Sequence, residues 1–215
     1  MNLNPKAAHN RTMGMKSILR ILALGAMTLA VLGSSPRQSD RVVLAGGCFW
    51  GMQAVFEQLR GVESVVAGYS GGSASTAHYD DVSTGTTGHA ESVQIVYDPS
   101  RITFEQLLDV YFLVAHDPTQ LNRQGPDDGT QYRSEIYYTT AAQREAARQY
   151  IARLSRSHTY SAPIVTLVAP LAAFYPAEAY HQDYVAHHPY EPYVLINDKP
   201  KLAMLHQRFP SLLKQ

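Results

Sequence analysis

Gly46-Gly47-Cys48-Phe49-Trp50-Gly51 most narrows what this chain can become. It holds the only cysteine and the only tryptophan of the 215 residues. Before it lies Arg41-Val42-Val43-Leu44-Ala45, a short apolar run that reads as a buried strand. After it, Phe49, Met52, Val55, Phe56 and Leu59 recur at helical spacing until Gly61 ends the pattern. The paired glycines therefore mark a tight strand-to-helix turn, and Cys48 is expected in the first turn of the helix. Unpaired N–H groups and the positive end of the helix dipole would favour a thiolate there, the reactive form of cysteine. The alternative is a cysteine that merely packs as a small hydrophobe.

Compartment bears on that choice. Lys6, Arg11, Lys16 and Arg20 precede the apolar run Ile21 to Gly33, and Ser34 and Ser35 supply small residues for cleavage. This is the pattern of an export signal, expected over residues 1–35. The run is shorter than the about 20 apolar residues of a membrane span, so no stable anchor is expected. Residues 36–41 read as a linker and 42–215 as one catalytic domain, exported to the periplasm or secreted. An unpaired thiol in an oxidising compartment is a hazard unless oxidation and re-reduction are its work. The chain carries 18 basic and 18 acidic residues; without the four basic residues before Ile21 the balance is −4, which argues against nucleic acid as a partner.

Val62 to Tyr69 reads as a second strand and Ser73 to Gly88 as mostly loop. From Glu91 to Tyr97 the residues alternate, so Glu91, Val93, Ile95 and Tyr97 share one face. If that face is the core, Glu91 is poorly solvated, stays protonated near neutrality and can donate a proton. Thr103 to Gln106 and Thr140 to Gln143 open helices with capping-box spacing. Thr130 to Tyr138 and Pro163 to Val168 read as strands, Pro176 to His187 as a short helix, and Tyr193 to Ile196 as a strand or extended piece. The order of elements gives an α+β fold, a two-layer α/β sandwich with a mixed sheet.

Two other functions compete. A cysteine-nucleophile hydrolase needs a histidine base beside the thiol, and His89, His116 and His181 are available. A binding module could use Phe49, Trp50, Tyr79 and Tyr132 as an aromatic cage, but leaves the thiol without a task. Glu178 and His181 have ligand spacing, yet one such pair is not a metal site, and no metal is expected.

Gly47-Cys48-Phe49-Trp50-Gly51 resembles the nucleophile motif of the type A peptide methionine sulfoxide reductases. Gly68 to Gly72, Tyr79 to Gly85, Gly88 to Glu91, His116 to Gln120, Gly129 to Ser134 and Ala177 to Gln182 resemble further blocks of that family, in its order. The resemblance implies a ferredoxin-like core and selectivity for the S epimer of the sulfoxide, free or in proteins. It implies Cys48 as the nucleophile on sulfur and Glu91 as the proton donor to oxygen. Tyr79 and Tyr132 would hold that oxygen, Phe49 and Trp50 would enclose the substrate methyl, and Asp127 would support the site. Many relatives carry a resolving cysteine where this chain reads His188 to Val194 without one. A sulfenic acid on Cys48 must then be reduced by an external thiol, a thioredoxin-like protein or a small thiol, with no bound cofactor. The expected partners are that reductant and oxidised proteins or peptides, and a monomer is expected.

Overall fold

The computed structural model describes residues 39–214. The expected export signal and the linker up to residue 38 lie outside the described residues. The elements run β1 (Asp40–Gly46), α1 (Phe49–Glu57), β2 (Val62–Ser70), α2 (Tyr79–Val82), β3 (Ala90–Tyr97), α3 (Phe104–Val110), β4 (Arg123–Gln124) and β5 (Asp127–Asp128). There follow β6 (Ser134–Tyr138), α4 (Ala141–Arg156), β7 (Leu167–Pro170), β8 (Phe174–Pro176), α5 (Tyr184–His187) and α6 (Lys199–Arg208).

Six strands form one mixed sheet in the order β7-β6-β1-β3-β2-β8. Only β6 and β7 pair in parallel; the other four pairings are antiparallel. Because β1 and β2 both oppose β3, which lies between them, they run parallel and α1 crosses over the intervening strand. By the same logic β3 and β6 flank β1 and run parallel, joined through α3. Two interleaved strand-helix-strand units of this kind are the ferredoxin-like arrangement.

β1 is central, so both its faces are covered: Val42 and Leu44 belong to the main core, Val43 and Ala45 to a smaller cluster on the opposite face. The main core packs Val93, Ile95 and Tyr97 of β3 against Phe49, Met52, Val55 and Phe56 of α1, with Leu107 and Leu108 of α3 and Tyr150 of α4. On the smaller side Ala90 and Tyr137 meet Ala169, Leu171 and Phe174. Helices on one face of the sheet make the two layers.

Several local expectations change. Thr130 to Tyr138 is not one strand: Tyr132 N–H donates to Gly129 O at 3.0 Å and closes a 3-10 turn over Thr130–Tyr132 before β6 starts. The strand read at Pro163 to Val168 falls at Leu167–Pro170, an edge position where proline's missing donor does no harm. Pro176 to His187 splits into a 3-10 turn, Ala179–His181, and α5, because Asp183 takes a left-handed φ of 54° between them. Val194–Asp198 coils as a π-helical turn rather than extending. The Thr103–Gln106 capping box is complete. At α4 only half forms: Thr140 accepts from Gln143 N–H at 3.1 Å, while the Gln143 side chain accepts from Thr139 N–H instead. β1 begins at Asp40, inside the stretch read as linker.

Candidate active site

Gly47, at φ 90°, ends β1 in a conformation that favours glycine, and a Cβ there would lie 2.5 Å from Gln124 Cγ. Cys48 is thereby set as the N-cap of α1, 8% exposed. Gln124 is itself pinned by hydrogen bonds with Asp117 N and O, at 3.2 and 3.0 Å. Its partner across the β4–β5 ladder is Asp127, so packing against Gly47 also delivers Asp127 to the thiol.

The cavity at this turn holds about 190 Å³. Cys48, Phe49, Trp50, Tyr79, Glu91, Asp127, Tyr132 and Tyr193 line it. All seven residues singled out from the sequence meet there, and Tyr193 is an eighth. Cys48, Phe49 and Trp50 come from the turn itself, and the other five from separate pieces of chain. Glu91 stands opposite Tyr69 in the β2–β3 register, on the core face of its strand as the alternation requires. Tyr79 begins α2, where its N–H donates to Glu178 Oε1 at 3.0 Å; Glu178 Oε2 accepts from the Tyr69 hydroxyl at 2.9 Å. The turn carrying Tyr132 is tied to the α2 loop by Thr130 Oγ1 to Gly85 O, 2.7 Å, and Gln131 Nε2 to Ser83 O, 3.2 Å. The Trp50 indole lies flat on Tyr184, with centroids 3.7 Å apart and planes 8° apart, and donates from Nε1 to His181 Nδ1 at 3.1 Å. Tyr193 meets the Trp50 ring edge-on and donates to Asp127 Oδ2 at 2.5 Å.

Glu91 Oε2 accepts from Phe49 N–H at 3.0 Å, yet burial outweighs that bond and raises the carboxyl to about 8. It is therefore protonated at neutral pH. Burial likewise lifts the hydroxyls of Tyr79, Tyr132 and Tyr193, with Glu91 adding to the first two and Cys48 to the third, so all three remain hydrogen-bond donors. The thiol departs from the sequence reading. Burial pushes Cys48 well above the ordinary thiol range, Glu91 adds to that, and the Trp50 N–H opposes it. The resting group is a thiol, because the dry cavity outweighs the helix end and a carboxyl group already takes the Phe49 N–H.

The three histidines available as a hydrolase base are otherwise engaged. His89 accepts from Gly72 N–H at 3.2 Å, His116 Nε2 bonds Ser134 Oγ at 2.7 Å, and His181 holds Trp50. None of them lines the cavity. Among the described residues, no group of three or more His, Cys, Asp or Glu side chains gathers as a metal site requires.

The sequence matches the profile of peptide methionine sulfoxide reductases over residues 40–212. The chain belongs to the peptide methionine sulfoxide reductase family. It is an oxidoreductase that reduces methionine sulfoxide, and the hydrolase reading falls. The reductase MsrA 2 of Mesorhizobium japonicum is 53% identical over 177 residues, 82% of this chain and 91% of the relative. A second MsrA 2, from Synechocystis, is 50% identical over 183 residues, 85% of this chain and 86% of that one. Among solved structures, methionine sulfoxide reductase A of Corynebacterium diphtheriae superposes with a TM-score of 0.67 at 36% identity, over 74% of this chain and 81% of that one. Reduced Mxr1 of Saccharomyces cerevisiae gives 0.66 at 32% identity, over 73% and 89%.

Tyr193 lines the cavity and Tyr184, His181 and Glu178 brace its walls, and sequence reasoning gave none of the four a part in a reductase site. The Tyr/His-rich stretch before Tyr193 was the available signal, but it has no period that says which ring faces inward.

Proposed function

We propose that this reductase repairs methionine-(S)-sulfoxide, free and in proteins, with Cys48 as nucleophile and Glu91 as proton relay. The convergence of the thiol and a carboxyl group raised to about 8 in one small aromatic cavity carries this reading. The sulfoxide oxygen leaves poorly as an anion, so its protonation must accompany attack. Neutral Glu91 gives its proton to that oxygen while the Cys48 sulfur attacks the sulfoxide sulfur and the thiol proton replaces the one Glu91 lost. Attack forms an S–S bond between Cys48 and the methionine sulfur; that bond and the sulfoxide S–O bond then break as the hydroxyl passes to Cys48, where a new S–O bond forms. Methionine sulfur gains two electrons, Cys48 loses two, and the products are methionine and a sulfenic acid. Tyr79 and Tyr132 donate to the oxygen as it becomes negative. Phe49 and Trp50 enclose the methyl group, where sulfur–aromatic contact adds ~0.3–1.5 kcal/mol. Asp127 acts through the hydroxyl of Tyr193, which it holds in place.

An external thiol then attacks the Cys48 sulfenic acid and expels water, and a second thiol releases the mixed disulfide. A chain with one cysteine supports that route. A thioredoxin-like dithiol protein or two molecules of a small thiol supply the electrons. The basic start and short apolar run of residues 1–35 support export to the periplasm or beyond the cell without a membrane anchor, which N-terminal sequencing of the mature protein tests. Reduction of the separate S and R epimers with dithiothreitol tests the substrate. Turnover of S alone supports the reading, and equal turnover of both contradicts the shape of the methyl pocket.

A further inference from the structure

Asp198 ends the π-helical turn that begins one residue after Tyr193. Its side chain is fully buried, and neither carboxylate oxygen accepts a hydrogen bond from the described residues. The ammonium of Lys201 stands 3.6 Å from Oδ1, an ion pair too long for a hydrogen bond. A buried carboxylate so poorly compensated is costly, and an apolar side chain would fill the place more cheaply. The carboxylate rests on α1 at Gly51, three residues after Cys48. A Cβ on Gly51 would collide with Oδ1 and lie 3.1 Å from Lys201 Nζ. The bare first turn is thus what lets a charged group approach the helix end.

We propose that Asp198 is a positioning residue of the reductase, which occupies the positive end of α1 beside Gly51 and competes there with Cys48 for that end's favour. The inference rests on Cys48 being the nucleophile. Glu91 already takes the Phe49 N–H, so two carboxyl groups share the helix end that would otherwise steady a thiolate. The charge of Asp198 acts on Cys48 in the direction of the protonated thiol, and so does that of Asp127. Lys201 offsets part of it, while burial holds Asp198 itself near 6. The charged and titrating groups around Asp198 are thus Lys201 on α6, Asp127 on β5, Cys48 at the turn and Tyr193 in the tail. The consequence is a thiol spared from general electrophiles.

Alkylation by iodoacetamide without substrate reads this directly, since Cys48 is the only cysteine. At about pH 9.5, where Asp198 is ionised with or without Lys201, Asp198→Asn is expected to react about tenfold faster than wild type and Lys201→Gln at least about twofold slower. Opposite signs separate charge from packing, because a loosened pocket speeds both. Acceleration in both variants, or no change in either, overturns the proposal. If Asp198→Asn lacks a cooperative melt, Lys201→Gln alone decides. A parallel assay of wild type with methionine sulfoxide and dithiothreitol judges the role of Cys48 separately.

Discussion

Glu91 Oε2 accepts the backbone N–H of Phe49 at 3.0 Å, so the proposed acid is fastened to the residue that follows the proposed nucleophile. One hydrogen bond fixes the distance between two groups 43 positions apart in sequence. Together with burial of the sulfur, it accounts for the helix start not ionising Cys48, since a carboxyl group has taken the first free donor of α1.

Glu91→Gln keeps that acceptor and the shape of the pocket but has no proton to give. The chemical step is expected to slow by about 10²–10⁴-fold, the usual range for loss of general acid catalysis. Single-turnover formation of methionine measures it, and an unchanged rate removes Glu91 from the relay.

The same carboxyl sets a pH dependence. Glu91 is raised from 4.5 to about 8, so the native state holds its proton where the unfolded chain has lost it. Its contribution to stability is therefore present below 4.5 and declines as pH rises through 4.5 toward 8. Glu91→Gln lacks this decline. Between those limits its melting temperature should fall less with rising pH than that of wild type. Turnover by wild type should drop above about 8 as the acid ionises.

Cys48→Ser should abolish reduction and leave the fold intact. Serine is a favoured N-cap residue, and the cysteine side chain makes no capping bond of its own. Circular dichroism melts beside the activity assay check both halves. Residual turnover would place the nucleophile elsewhere.

The placement of Cys48 and Glu91 was legible because each lies in a strongly periodic segment. Alternation over β3 put Glu91 on the face of Val93 and Ile95 but left open whether the strand end meets water, and the apolar run plus the glycine pair marked the turn. The tail was not legible. Asp183 at φ 54° breaks a stretch whose composition favours helix, and the π-helical turn at Val194–Asp198 has no residue pattern that separates it from an extended piece. The ionisation of Cys48 also escaped, because it depends first on burial and then on Glu91, Asp198 and Asp127, which tertiary structure alone brings about.

Trp50→Phe retains an aromatic wall but loses the bond to His181 Nδ1 and part of the stack on Tyr184. A freed ring tumbles in the mouth of the pocket. KM for methionine sulfoxide should rise several-fold, by about 1 kcal/mol of lost placement, with a smaller effect on kcat. Steady-state kinetics separate the two, and a pure kcat loss contradicts a methyl-holding role.

On the proposed mechanism, Tyr79→Phe and Tyr132→Phe each remove one donor to the sulfoxide oxygen. Each should lower kcat/KM about tenfold, as loss of one hydrogen bond in a dry site does. The double variant should lose more than either single one. A wild-type rate in both single variants would show that the oxygen is held by other groups.

Mass spectrometry of Cys48 after a single turnover with methionine-(S)-sulfoxide, with no reductant and with dimedone present, tests the central claim most directly. The expected result is one dimedone adduct on Cys48 for each methionine formed, because the oxygen has passed to that sulfur. Methionine produced while Cys48 stays a free thiol, or ends in a disulfide-linked dimer, would contradict it.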